Sequence, residues 1–288
     1  MSVATRLFGF AALLAVVFAG AALAGGALDV RADADGDDRA AAETDGGHGA
    51  GASGGHGAAA PDPVRGLAVA DRGLRLVVED PELRRGRTER LRFAIVDDAG
   101  AVVRDFDVAH EKRMHLIVAR RDLAGFRHLH PEQDGDGAWS VPITLDQAGS
   151  YRVFADFTRD GEPQTLAADL RVDGAADLRS LPVPSSLARS DGGYDVRLDA
   201  EHATAGAEAE LRFTVTRDGE AVETEPYLGA GGHLVALREG DLAFLHVHAT
   251  EAVDFAATFP TEGRYRLFLQ FKHAGRVHTV AFTQEVGR

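Results

Sequence analysis

Two stretches of the chain carry three histidines at one spacing. "HLIVARRDLAGFRHLHP" begins at His115 and "HLVALREGDLAFLHVHA" at His233, so H-x12-H-x-H recurs 118 residues later. Imidazole binds Cu, Zn and Ni through a neutral nitrogen, which makes metal ligation the chemistry to consider. Side chains alternate along a strand, so a hairpin folded about Asp122-Leu123 groups His115, His128 and His130 on one face. Folding the second copy about Gly240-Asp241 sets His233 opposite His248 and Val235 opposite His246, again on one face. Directly opposed residues lie ~4.5–5.5 Å apart at Cβ, within reach of one ion. A slip of one residue would remove His115 from its group.

The first copy offers a further ligand. In "HEKRMH", His110 stands five residues before His115, with Glu111 between them. Four imidazoles complete a tetrahedral site, and three leave a position open. The matching position in the second copy is Leu228; there, His273 and His278 flank the turn of "FKHAGRVH" and are placed to face each other. The predicted metal ligands are therefore His110, His115, His128 and His130 in one site, and His233, His246 and His248 in another. Copper or zinc is the expected ion, as Cu(II) or Zn(II), with Cu(I) open if two opposed imidazoles bind it linearly. The alternative reading is that these histidines serve hydrogen bonding and packing alone.

The elements that must position them are strands. "LRLVV" from Leu74, "LRFAIV" from Leu91, "HLIVA" from His115, "YRVFADF" from Tyr151 and "LAADLRV" from Leu166 alternate or run apolar, separated by "DDAG", "DGDG" and "RDGEP" turns. The order then repeats: "LRFAIVDDAGAVV" matches "LRFTVTRDGEAVE" from Leu211, and "GSYRVFADF" from Gly149 matches "GRYRLFLQF" from Gly263. An offset of 114 to 120 residues makes the repeat a domain rather than a solenoid unit. The fold class is all-β. Two tandem immunoglobulin-like or cupredoxin-like antiparallel sandwiches are predicted, over residues 64–174 and 191–288, joined by a linker at 175–190.

Ahead of them, an uncharged run from Leu7 to Leu28 follows Arg6, and twenty-two helical residues cross a ~30 Å hydrocarbon core. Residues 1–28 are expected to act as a membrane anchor, or as a signal cleaved near "ALA" at Ala22; either exports the remainder. Residues 29–63 are Ala, Gly and Asp with few large apolar side chains, the composition of a disordered acidic tether. That stretch includes "GGHGAGASGGHG" with His48 and His56, a spacer or a loose metal trap.

The 288-residue chain has no cysteine, which removes disulfides and thiolate sites, and its formal net charge of −14 argues against nucleic-acid partners. No Ser–His–Asp order, phosphate loop or carboxylate-bearing catalytic motif appears, so no enzyme is expected. The protein partner is unknown from sequence.

The stretches "HEKRMHLIVARRDLAGFRHLHPE" and "PYLGAGGHLVALREGDLAFLHVHA" resemble segments of a broad group of exported bacterial β-sandwich proteins, the second that of its tandem actinobacterial members. The resemblance covers residues 64 to 288. It implies an exported tandem sandwich and, by the group's presumed role, handling of copper or other heavy metals. Ala249 stands where the second motif usually ends in proline, which touches the turn and not the candidate ligands. The expected function is thus an exported, membrane-anchored metal-binding protein, the alternative a structural or interaction module.

Overall fold

The computed structural model describes residues 64–288 except Glu201, His246 and Glu251. The expected anchor, the tether with His48 and His56, and the candidate ligand His246 lie outside the described residues. Among the described residues no helix is long and apolar enough to cross a membrane.

Among the described residues, twenty strands form four sheets in two sandwiches. In the first sandwich, one sheet runs in the order β1 (Ala70–Asp71), β2 (Leu74–Val78), β4 (Thr88–Asp97), β8 (Trp139–Thr144), β7 (Glu132–Gln133). The facing sheet runs β3 (Glu82–Leu83), β10 (Glu162–Val172), β9 (Gly149–Arg159), β5 (His115–Arg120), β6 (Arg127–Leu129). The second sandwich repeats this plan. One sheet holds β11 (Leu187–Arg189), β12 (Asp195–Ala200), β13 (Glu208–Arg217), β18 (Asp254–Thr258) and β17 (His248–Ala249), with β14 (Glu220–Ala221) on β13. The other runs β16 (Phe244–Leu245), β15 (Gly232–Arg238), β19 (Gly263–His273), β20 (Arg276–Val286). Every strand pair is antiparallel except β3 with β10.

Alternation decides what each strand buries. On β5, Leu116 and Val118 enter the first core with Phe93, Ile95 and Phe157. On β15, Leu234 and Ala236 enter the second core with Leu211, Phe255 and Phe282. The intervening residues turn the other way, and there the two sandwiches meet. Ile117, Ala119 and Phe154 of the first pack with Val235, Leu237, Phe244 and Phe268 of the second in a third apolar cluster. Strand β5 is consequently buried along its whole length. A strand covered on both faces needs a continuous apolar run, which is why "LIVA" and "LVAL" do not alternate with polar residues.

The meeting is self-complementary. By the hairpin offset of 118 Phe126 corresponds to Phe244, and by the offset of 114 Phe154 corresponds to Phe268. Phe126 stacks on Phe268 with centroids 4.0 Å apart, and Phe154 meets Phe244 at 5.7 Å. Each contact is the exchanged version of the other, the signature of an approximate two-fold axis between the halves.

Candidate metal centre between the sandwiches

Both hairpins take the registers the turns dictate. Leu116 pairs with Leu129 and Ile117 with His128, and Ala236 pairs with Leu245. Their turns place Leu123 and Leu242 at positive φ, 62° and 61°. In the first hairpin this register puts His115, His128 and His130 on the outer face of the sheet, beside Ile117 and toward the second sandwich.

The second hairpin departs from expectation. Its ladder stops at the Ala236–Leu245 pair, and the chain then crosses to the opposite sheet, where His248 pairs with Ala256 of β18. His248 is therefore not opposed to His233. His233 instead joins the histidines of the first copy: its ring lies 4.6 Å from that of His128 and stacks on that of its own counterpart His115 at 5.7 Å and 8°. Among the described side chains, one cluster forms at the junction, joining His233 to histidines of the first copy. The two-fold arrangement is the reason, since equivalent residues near such an axis face each other.

Nitrogen atoms of His115, His128 and His233 all lie within 4.8 Å of one another. His130 flanks them, 4.8 Å from His128 and 5.1 Å from His115 between centroids, and His110 stands at the rim, 6.1 Å from His115 and 6.3 Å from His233. His110 and Glu111 both have positive φ, so a left-handed turn presents the imidazole to the cluster.

The outer nitrogens are fixed by oxygens. His115 Nε2–H donates to the Ala109 carbonyl at 3.2 Å, and His128 Nδ1–H donates to Gln270 Oε1 at 2.6 Å. The Gln270 amide in turn donates to Thr279 Oγ1. A neutral imidazole carries one N–H and one lone pair, so the lone pairs of His115 Nδ1 and His128 Nε2 point inward, 3.0 Å apart. His233 Nδ1 and His130 Nε2 are buried with no hydrogen-bond partner among the described residues.

Burial holds the rings neutral. It pushes His115 down to about 4, with the Ala109 carbonyl partly opposing and neighbouring His130 adding to the effect. His128 falls to about 3 and His130 to about 4, burial again leading, and His233 falls well below its ordinary value.

Sequence reading missed two neighbours that strand parity could have supplied. Asp156 is the cross-strand partner of His115, and Gln270 that of His233. Asp156 lines, with His110 and His233, a cavity of about 30 Å³. That exceeds the 10–15 Å³ or so that a cavity needs to hold one water. Burial raises Asp156 to about 6 despite the Thr165 hydroxyl, which donates to its Oδ1 at 2.6 Å, and nearby Arg65.

His273 and His278 form a separate group. His278 pairs with Phe271 and His273 with Arg276, so the two sit diagonally on one face. Both rings lie against Tyr194, whose hydroxyl is 2.7 Å from His273 Nδ1 and accepts from Arg217.

No curated protein is similar to this chain. Among solved structures, the Escherichia coli adhesin FdeC is 16% identical, with 77% of this chain and 66% of that one covered at a TM-score of 0.27. A Salmonella alpha-2-macroglobulin is 15% identical over 78% of this chain and 15% of its own, at 0.28. The tandem Ig repeats of Dlar are 7% identical over 74% and 97%, at 0.21. This chain thus spans about two thirds of the adhesin structure and a small part of the macroglobulin. One family model matches the sequence twice, over residues 68–174 and 188–288, and the chain therefore belongs to the family described as "Domain of unknown function (DUF8832)", whose unit it carries in tandem.

Proposed function

We propose that the protein binds one copper or zinc ion at the junction of its two sandwiches, held by His115, His128 and His233. The carrying observation is the pair of inward lone pairs 3.0 Å apart, each aimed by an oxygen that holds the opposite ring nitrogen. Two facing lone pairs repel unless a cation lies between them. A proton is a poor candidate near pH 7, because burial keeps both rings neutral down to about 4 and 3. Outer hydrogen bonds that orient ligand histidines are the usual support of a metal site. His130, His110 and Asp156 surround the three nitrogens and supply a fourth ligand or a charge balance for a divalent ion. Binding without catalysis is the proposed role, in an exported protein attached to a membrane by the apolar run before residue 29.

A second reading has its own support: the cluster is continuous with the apolar interface of Ile117, Val235 and Phe268, where hydrogen-bonded histidines can serve to dock the sandwiches. Metal content separates the two. Purified protein, dialysed after exposure to Cu(II) or Zn(II), is expected to retain about one ion per chain by elemental analysis, not two. His128→Ala with His233→Ala should remove it, and His273→Ala with His278→Ala should leave it. Zero retained ion in the parent protein, with stability unchanged by added metal, would establish the docking reading instead.

A further inference from the structure

The histidines that converge at the junction come from both sandwiches. His115 and His128 stand on β5 and β6 of the first, and His233 stands on β15 of the second. The hydrogen bond that aims His128 also crosses the junction, since it ends on Gln270 of β19, which is itself held by Thr279 of β20. His233 is the second sandwich's member of the converging group among the described residues. It therefore decides whether an ion touches one sandwich or both.

The junction has two halves with opposite demands. The apolar half, with Ile117 and Ala119 against Val235, Leu237 and Phe268, favours contact by removing apolar surface from water. The histidine half opposes contact in metal-free protein. It sets two imidazole lone pairs 3.0 Å apart and buries His233 Nδ1 and His130 Nε2 without a partner among the described residues. Separation returns those nitrogens to water, which satisfies them. A cation between the lone pairs replaces repulsion by bonds and reverses the sign of that half. The connecting chain permits the motion. Asp177 and Arg179 are held to the first sandwich by Arg120 and Asp122, but residues 182–186 are exposed and in no strand. Domains of one chain move relative to each other by default unless their interface is large and apolar throughout.

We propose that the ion is a clamp between the sandwiches: held by His115 and His128 on one side and His233 on the other, it locks them together, and its loss lets them part about residues 182–186. This rests on the metal reading above and adds a regulatory consequence to it. An ion that binds the docked arrangement more tightly than the separated halves must favour docking by the same factor.

The Phe244 amide reports docking. It donates to the Arg65 carbonyl at 3.0 Å, and the segment carrying Arg65 is fixed to the first sandwich, where Gly66 N donates to the Thr165 carbonyl and Arg152 Nε to that of Gly66. Hydrogen exchange at Phe244 is to be measured on the full-length protein, metal-free and loaded with Cu(II) or Zn(II), with the retained ion counted in the same samples. Loading is expected to slow exchange there about tenfold or more, within the usual range of coupling between linked equilibria. In His233→Ala the slowing should vanish, whether the variant keeps an ion weakly through the first sandwich or keeps none. His130→Ala, saturated with the ion, should preserve it. His233→Gln provides a second variant if the alanine fails to fold, which thermal unfolding verifies. A retained ion with exchange at Phe244 unchanged overturns the clamp and leaves the metal site standing. Slowing that survives loss of His233 overturns it as well, because the ion then acts within the first sandwich. No retained ion in the parent protein removes the metal reading itself, and the clamp with it.

Discussion

The two ends of the junction between the sandwiches are built from the same parts and finished differently. At one end Arg152, Phe154 and Phe244 close over the chain's own residues 65–68, and Asp156 lies beneath. At the other, Arg266, Phe268 and Phe126 line an open groove, and Gln270 stands where Asp156 would. The same divergence runs through the hairpin turns. Arg120 and Asp122 form an ion pair with side chains 2% and 6% exposed, whereas in Arg238 and Asp241 these values are 17% and 43%. Duplication supplied matched elements, and later substitution assigned one end to holding the chain together and left the other accessible. A carboxylate against a buried imidazole cluster and an amide in the same place are the clearest chemical mark of that division.

The largest expected difference between the ends concerns the ion pairs. Asp122 accepts from both Arg120 Nε and Nη2, and also from the Arg179 amide, so it fastens the linker to the turn. Asp122→Ala leaves a buried guanidinium uncompensated and should cost about 3–5 kcal/mol. Asp241→Ala acts on a pair whose carboxylate is largely in solvent and should cost less, about 1 kcal/mol. Denaturant unfolding of the two variants measures the contrast, and equal losses would show that the ends are energetically alike.

A smaller effect separates Asp156 from Gln270 and appears in acid. A histidine at about 4 in the fold and near 6.5 unfolded leaves the unfolded chain with more bound protons between those values. Its contribution is therefore intact above 6.5 and lost on acidification toward 4, by about 3 kcal/mol for one such group. Asp156 has the opposite sign. Raised to about 6 from an ordinary 3.8, it binds its proton in the fold first, so acidification from 6 toward 3.8 stabilises by about 2–3 kcal/mol. Metal-free protein should lose stability below pH 6.5, and Asp156→Asn, which makes this end resemble that of Gln270, should steepen the loss between pH 6 and 4. An unchanged slope would place Asp156 outside the balance of the cluster.

Much of this geometry was written locally. The turns at Asp122-Leu123 and Gly240-Asp241 set the hairpin registers, and period-two alternation assigned Leu116, Val118, Leu234 and Ala236 to separate cores. The union of His233 with His115 and His128 was not legible while each sandwich was considered alone. A clue existed in Ile117, Ala119, Val235 and Leu237, which are apolar at positions where a strand facing water carries polar residues. The crossing of the chain after Leu245 is not set by the hairpin itself: β17 pairs with the next strand, β18, and it is the pairing of β18 with β13 that carries both into the opposite sheet. The groove is likewise a long-range property, since Phe126 and Ala281 come together only where the two sandwiches meet.

The smallest expected effect is local and tests whether the two edges differ in occupancy. The Ala167 amide is held by the Ala68 carbonyl, and the outward Ala281 amide is its counterpart on an open edge. Hydrogen exchange should therefore be slow at Ala167 and fast at Ala281 in the unmodified protein. Gly66→Ala forces a side chain against Phe244 and Phe154 from a left-handed backbone position, a local cost of about 1–3 kcal/mol. Segment 65–68 lies outside both sandwich cores, so this cost should detach the segment without melting the domains, leaving the main unfolding transition close to its original position. Exchange at Ala167 should then rise toward the rate at Ala281, and Arg152, released from the Gly66 and Leu67 carbonyls, should present the same open edge that Arg266 presents. If Ala281 is already as protected as Ala167 before any substitution, the second edge is covered and the asymmetry between the two ends is not one of occupancy.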